Sequence, residues 1–297
     1  MEPVLTMILL FGFMGLGMLV HSVLGKYKLV DQAVHMLNNF IYYILLPTVY
    51  FDIFAWKGIV VADLSIALTC LIYILVSFAV LFKIPTLKGE PEIRYGSIII
   101  STFQNNVFLG FPVLLLLYGN IDAAATYSLI TFIFNVLVPG LIGRRGENLV
   151  VKILKLPIIY GFAGGVLIHY GVPSIYPYLA TILAPTHSML SYGAIFILGY
   201  TIPLTMKHIF VYKSQFLTVT LWRFLASPLI HYALLHVFPM PPLYQAEIMV
   251  LSIMPPAVFN TVIARIYGWK PEFTASTTFV LTMASMAIIV GILFLGR

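Results

Sequence analysis

The sequence is organised as ten long apolar stretches separated by short polar breaks. Each stretch has about 20 residues, the length that an α-helix needs to cross the hydrocarbon core of a bilayer. The stretches cover residues 3–24, 34–55, 64–82, 95–118, 123–142, 150–170, 175–202, 215–237, 243–267 and 273–295. This pattern predicts an all-α membrane protein with ten transmembrane helices and leaves no room for a soluble domain.

Charged residues are scarce: 16 Lys and Arg and 10 Asp and Glu among 297 residues, or 9%. Soluble domains carry about 25%, so the composition excludes a soluble enzyme and a nucleic-acid-binding protein, despite a net charge of +6. The single cysteine, Cys70, excludes a disulfide framework and a cysteine metal site. We expect no metal and no cofactor. Because Glu2 and no Lys or Arg precedes the first stretch, we expect a permanent helix there rather than a signal peptide.

The basic residues predict the orientation of the helices. Short cytoplasmic loops carry an excess of Lys and Arg, and 13 of the 16 basic residues lie in the odd-numbered loops. These are Lys26, Lys28, Lys83, Lys88, Arg94, Arg144, Arg145, Lys152, Lys155, Lys207, Lys213, Arg265 and Lys270. We therefore expect a multi-pass protein of the cell membrane with both termini on the non-cytoplasmic side.

Helix-disrupting residues lie near the middle of the fourth and ninth stretches, and both stretches end in Tyr-Gly. The fourth carries Asn105, Asn106 and Pro112, and the ninth carries Pro255, Pro256 and Asn260. Each is the fourth stretch of its half, which predicts two five-helix repeats, residues 1–142 and 150–297, joined by a short cytoplasmic linker at 143–149. Because five is odd, the second repeat has the inverted topology.

A helix broken at the bilayer midplane leaves main-chain groups that need protein, water or a ligand as partners. The N-terminus of each half-helix carries a partial charge of roughly +0.5, which favours an anion. A proline alone commonly kinks a membrane helix, and an asparagine alone commonly joins two helices. The two matching breaks together predict that the six residues named above form a substrate site.

These residues resemble motifs of the auxin efflux carrier family, the PIN-like transporters of the bile-acid-transporter-like superfamily. Asn105 to Pro112 resembles its fourth-helix motif, and Met254 to Tyr267 its ninth-helix motif. Asn38, nine residues before Pro47, resembles the second-helix pattern, and residues 193–199 resemble the seventh. The resemblance implies a scaffold of helices 1, 2, 6 and 7 and a mobile transport domain of helices 3–5 and 8–10. It also implies substrate binding where helices 4 and 9 cross, an elevator-type alternating-access mechanism and a homodimer.

The short linker between helices 5 and 6 resembles that of prokaryotic members, since plant members carry a long loop there. The adjacent prolines of helix 9, and Pro185 to His187 of helix 7, also differ from the plant pattern. The resemblance therefore implies a small organic anion as substrate, either an auxin-like indole acid or a carboxylate such as malate or malonate.

Further residues within the helices are candidates for supporting roles: Asn38, Asn39, Tyr43, Pro47, His187, Arg223 and Glu247. Arg223 either balances an anionic substrate or extends toward the cytoplasmic face. Glu247 either couples a proton or Na⁺, pairs with Arg223, or reaches water. His187 is either sensitive to protons or a hydrogen-bonded histidine between helices. The other acids, including Asp52, are expected at helix ends or in loops.

We expect a secondary transporter and no enzyme, because the sequence lacks the motifs of intramembrane proteases and zinc hydrolases. Uniport remains open, as does symport with Na⁺ or H⁺ of the bile-acid-transporter type. A membrane sensor or a channel is the less favoured alternative.

Overall fold

The computed structural model describes residues 3–143, 148–201 and 206–295, and within these ranges the regular secondary structure is helical apart from one isolated β-bridge. The α-helices are α1 Pro3–Leu24, α2 Lys28–Phe40, α3 Leu46–Lys57, α4 Val61–Leu81, α5 Pro91–Thr102, α6 Phe111–Tyr118, α7 Asp122–Ile142, α8 Leu149–Leu154, α9 Pro157–Gly171, α10 Tyr176–Thr201, α11 Lys207–Val211, α12 Lys213–Leu221, α13 Ser227–Val237, α14 Pro242–Ser252, α15 Phe259–Tyr267 and α16 Pro271–Leu295. Three π-helical turns, Ile41–Leu45, Asn106–Gly110 and Trp222–Ala226, join α2 to α3, precede α6 and join α12 to α13.

Helices occupy all ten predicted stretches, and most ends agree within a few residues. The second begins earlier than residue 34, at Lys28, because α2 carries polar residues along one face and apolar residues along the other. The sixth is divided after α8, since Pro157 lacks the amide proton that a continuous helix needs. Most of the predicted linker, including Arg144 and Arg145, lies outside the described residues.

Within the described ranges, four helices are both long and apolar enough to cross a bilayer: Val61–Leu81, Asp122–Ile142, Pro173–Thr201 and Pro271–Ile292. The second, fourth, sixth, eighth and ninth predicted membrane helices are divided by breaks, which shorten each continuous piece, whereas the first is continuous. The prediction of an all-α protein with several helices suited to a membrane is thereby confirmed.

Two helix pairs make unusually close backbone contacts. α3 packs along α9, and α1 packs along α10. A Cβ atom on Gly161 of α9 would collide with the carbonyl of Pro47, and one on Gly199 of α10 would collide with the carbonyl of Met14. Glycine allows these backbones to approach, as is common between helices in membranes. Pro47, a predicted supporting residue, thus contributes to this packing.

Candidate substrate site

The breaks in the fourth and ninth stretches lie against each other and define a crossover. Asn105 N donates to Pro255 O at 2.8 Å, and Ala257 N donates to Phe103 O at 3.0 Å, so that Gln104 and Pro256 form an antiparallel bridge. Pro255 and Pro256 have no amide protons and cannot continue α14 as a hydrogen-bonded helix. Main-chain groups of each break therefore find hydrogen-bond partners in the other break.

Arg223 binds the C-terminal ends of both interrupted helices. Its side chain is fully buried in the π-helical turn between α12 and α13. It donates to Ser101 O of α5 at 3.2 Å, and to Ser252 O at 3.0 Å and Met254 O at 2.7 Å at the end of α14. These carbonyls form the negative ends of the two half-helices. Neither predicted orientation of Arg223 is found, since its side chain lies outside the lining of the cavity described below and is shielded from solvent.

Two predicted asparagines also cap the crossover. Asn260 Nδ2 donates to Phe103 O at 2.8 Å, beyond the last turn of α5. Asn105 Oδ1 accepts from Phe108 N at 3.2 Å and so caps the start of the π-helical turn that leads into α6. Asn105 therefore lies at the N-terminus of the half-helix that leads into α6. Asn260 instead binds a carbonyl at the C-terminus of the preceding half-helix, α5.

A cavity of about 510 Å³ adjoins the crossover. Its polar lining comes from α2, from the crossover itself and from α7: Asp31, His35, Asn38, Asn39, Gln104, Asn105, Asn106, Ser128, Thr131 and Asn135. Aromatic rings of Tyr42, Tyr43, Phe108, Phe132 and Phe259 also line it, together with residues of α10 and α15. A few polar groups in a largely apolar wall are typical of small-molecule sites.

The cavity extends from the crossover toward the side on which the cation-rich loops lie. Asp31 lies near the start of α2, just after the first of those loops, and Thr201 ends α10, just before another. Val262 lies on α15, whose last turn carries Arg265. With the predicted orientation, the cavity opens to the cytoplasm.

Several amide atoms of side chains that line this cavity are buried and have no hydrogen-bond partner among the described residues. They are Gln104 Oε1, Asn105 Nδ2, Asn106 Nδ2, Asn106 Oδ1 and Asn135 Oδ1. All four side chains are at least nine-tenths buried. An unpartnered buried amide costs about 1–3 kcal/mol, so these groups are suited to a ligand that supplies the missing partners.

The predicted site residues separate into two groups. Asn105, Asn106, Asn38, Asn39 and Tyr43 line the cavity. The others lie outside its described lining: Pro112, Pro255, Pro256, Asn260, Pro47, His187, Arg223 and Glu247. Among these, Pro255, Pro256 and Asn260 belong to the crossover through their backbone or side-chain hydrogen bonds.

His187 and Glu247 hold helices together away from the cavity. His187 Nε2 of α10 lies 2.7 Å from Asp52 Oδ2, and Tyr176 donates to Asp52 Oδ1 at 3.1 Å. The hydrogen-bonded alternative therefore describes His187, and the expectation that Asp52 lies at a helix end is wrong, because Asp52 is buried within α3. Glu247 is buried too, and its Oε2 accepts from Ala124 N at 2.9 Å, in the first turn of α7. The partial positive charge at the N-terminus of α7 stabilises a carboxylate there.

Gln104, Ser128, Thr131 and Asn135 were not selected from the sequence as site residues, although all line the cavity. The last three are spaced three and four residues apart, so they share one face of α7. A polar face within an otherwise apolar stretch is the signal that identifies them. Gln104 lies beside Asn105, and its orientation follows only from tertiary contacts.

A buried ion pair joins α3 to the helices beyond it. Lys57 Nζ lies 2.5 Å from Asp63 Oδ1 and 3.0 Å from Thr126 Oγ1. The side chains of Lys57 and Asp63 are only 5% and 8% exposed. This contact links α3 with α4 and α7.

Comparison with known proteins agrees with these features. Residues 3–143 match the model of a family described as membrane transport protein. An uncharacterized transporter of Methanocaldococcus jannaschii is 24% identical over 279 residues, which cover 88% of this chain and 89% of the relative. Both matches indicate a membrane transporter rather than an enzyme, and residues 3–143 are similar to the family described as membrane transport protein.

Proposed function

We propose that the protein is a secondary transporter that binds a small organic anion at the crossover. The observation that carries this proposal is the polarity of the crossover. Arg223 and Asn260 bind carbonyls at or just beyond the negative ends of the half-helices, whereas the N-termini that start near Asn105 and Phe259 border the cavity. Helix N-termini accommodate a carboxylate through their amide protons and partial positive charge.

The size and lining of the cavity support a small organic acid. A volume of about 510 Å³ falls within the range of typical small-molecule sites. The aromatic part of the lining suits an indole ring, and the amide part suits a second polar group such as the one on malate. Both substrate classes implied by the sequence fit this cavity.

The packing supports two inverted five-helix repeats. An inverted repeat exchanges helix 1 with helix 6 and helix 2 with helix 7, so the α3–α9 contact corresponds to the α1–α10 contact. Both contacts depend on glycine. The fourth helix of each half is broken, and each ends at a glycine in the left-handed conformation, Gly119 with φ 65° and Gly268 with φ 72°.

The position of the cavity supports an elevator-type mechanism. Its lining comes on one side from α2 and α10, which belong to the proposed scaffold, and on the other from the crossover and α7. The crossover strands are hydrogen-bonded to each other and share Arg223. We therefore infer that they move as one body against the scaffold and carry the anion with them.

Transport by purified protein in liposomes tests this proposal. We expect saturable uptake of at least one acid from a panel of radiolabelled mono- and dicarboxylates and indole acids. Imposed Na⁺ and pH gradients distinguish uniport from coupled symport. Absence of saturable flux for every acid under every gradient would falsify the proposal.

The variant Asn105→Ala tests the crossover. Loss of the cap and of the Asn105 amide should reduce uptake at least about fivefold, because removing a group that binds the substrate costs about 1–3 kcal/mol. Asn148→Ala is the matched control, since Asn148 caps α8 by accepting from Val150 N at 3.0 Å and lies outside the described cavity lining. Equal transport by the two variants would remove the crossover from the mechanism.

A further inference from the structure

A chain of hydrogen bonds runs from α13 to the wall of the cavity. His231 Nδ1 lies 2.7 Å from Ser227 O, and His231 Nε2 lies 2.7 Å from the Tyr127 hydroxyl. Gln104 Nε2 donates to the same hydroxyl at 2.9 Å. All four residues are at least 98% buried.

The direction of each hydrogen bond is determined by the atoms involved. The carbonyl of Ser227 can only accept, so His231 Nδ1 carries a proton. His231 is fully buried, and among the described residues it hydrogen-bonds to no carboxylate. Burial without such a partner favours the neutral imidazole. Its Nε2 therefore accepts the hydroxyl proton of Tyr127.

The orientation of the Gln104 amide follows from this. Because Tyr127 uses its one proton on His231, its oxygen accepts from the Gln104 amino group. The amino group therefore points into the protein, and the carbonyl oxygen Oε1 is the free end of the amide. That oxygen has no hydrogen-bond partner among the described residues, although Gln104 lines the cavity.

We propose that Gln104 Oε1 accepts a hydrogen bond from the transported anion, so that preferred substrates carry a hydroxyl or N–H donor near the carboxylate. Gln104 is adjacent to Asn105, where the half-helix N-terminus begins, so the donor lies close to the acid group. Hydroxy acids and acids with a ring N–H satisfy this requirement. The inference rests on the proposed function and refines its substrate class.

Acids that differ only in the donor test the inference. Suitable pairs are malate and succinate, lactate and propionate, and indole-3-acetate and its 1-methyl derivative. In liposomes, we expect wild-type protein to carry the donor-bearing member of a transported pair with at least tenfold higher kcat/KM. A site built around a buried acceptor discriminates against an analogue that leaves it unpaired.

Two variants examine the hydrogen-bond chain itself. Gln104→Met removes the acceptor, and Tyr127→Phe removes the hydroxyl that holds the amide. Each should reduce the preference at least fivefold, mainly through slower transport of the donor-bearing acid, while transport of the other acid persists. Tyr176→Phe is the matched control, since its hydroxyl binds Asp52 away from the cavity, and it should keep the preference.

The outcomes separate this inference from the proposed function. Equal transport of both members of each pair by wild-type protein, or a preference unchanged in both Gln104→Met and Tyr127→Phe, overturns the inference and leaves anion transport intact. Failure to carry any acid overturns the proposed function, and the inference with it.

Discussion

Arg223 is distinguished by the number of main-chain carbonyls that it serves. A guanidinium has five donors in a rigid fork, whereas the lysine ammonium is a compact charge with three. Arg223 donates to the carbonyls of Ser101, Ser252 and Met254 and to the hydroxyl of Tyr73. The residue thus joins two helix ends that would otherwise face each other with like partial charges.

We expect Arg223→Met to destabilise the protein by at least about 3 kcal/mol, because three buried carbonyls lose a partner at about 1–3 kcal/mol each. Arg223→Lys should be intermediate. Thermal unfolding in detergent measures both. Arg265→Met is the control, since Arg265 is exposed near the end of α15, and it should melt close to wild type. If Arg223→Met also melts like wild type, the proposed support of the helix ends is wrong.

Residues that change the backbone are easier to recognise in a sequence than residues that act through tertiary contacts. Asn105 and the two prolines are recognisable because they lie near the middle of the fourth apolar stretch of each half, at matching positions. Gln104 carries no such local signal, since a single amide does not reveal whether it faces a cavity. The role of Arg223 was also inaccessible, because its carbonyl partners come from two other segments.

Helix α3 is tied to α4 and α7 by Lys57, Asp63 and Thr126. In the proposed architecture α3 belongs to the scaffold and the other two helices to the transport domain. The contact therefore crosses the boundary at which movement is proposed. It joins elements that must separate, or shift together, during transport.

We expect Lys57→Met to destabilise the protein by roughly 3–5 kcal/mol, because it leaves the Asp63 carboxylate buried without its cation. The double variant Lys57→Met with Asp63→Asn should recover a large part of the loss. Thermal unfolding of the two single variants and the double variant measures the coupling. If the stability losses of the two single variants add up to that of the double variant, the interaction between Lys57 and Asp63 contributes nothing to stability.

Helix positions were predictable because apolar length alone determines them. The π-helical turns and the division of the sixth stretch were not predicted, since they change the hydrogen-bond register without changing the apolar pattern. The early start of α2 was missed for a related reason. Its polar face lines a cavity, so its first turns are too polar to extend the apolar stretch.

The whole molecule is open toward the cation-rich side in this structure. The distribution of Lys and Arg predicts that this side faces the cytoplasm, and the cavity runs toward it from the crossover to the start of α2. His35 lies on that path and is exposed. Its accessibility therefore reports both the topology and the conformation.

We expect a cysteine introduced as His35→Cys to react with a membrane-impermeant thiol reagent applied from the cytoplasmic side only. Inside-out and right-side-out vesicles supply the two sides, and a transported acid should slow the reaction. Wild-type protein is the control, because its Cys70 is fully buried. Labelling from the outer side only would contradict the predicted topology.

The bridge between the two breaks is made by main-chain atoms alone. Substitutions at Gln104 therefore alter the chemistry presented to the substrate without removing the main-chain hydrogen bonds that join the breaks. Such separation allows the substrate preference of related proteins to diverge by single substitutions while the architecture is inherited unchanged. The crossover is thus a position at which new specificities can evolve at little cost to folding.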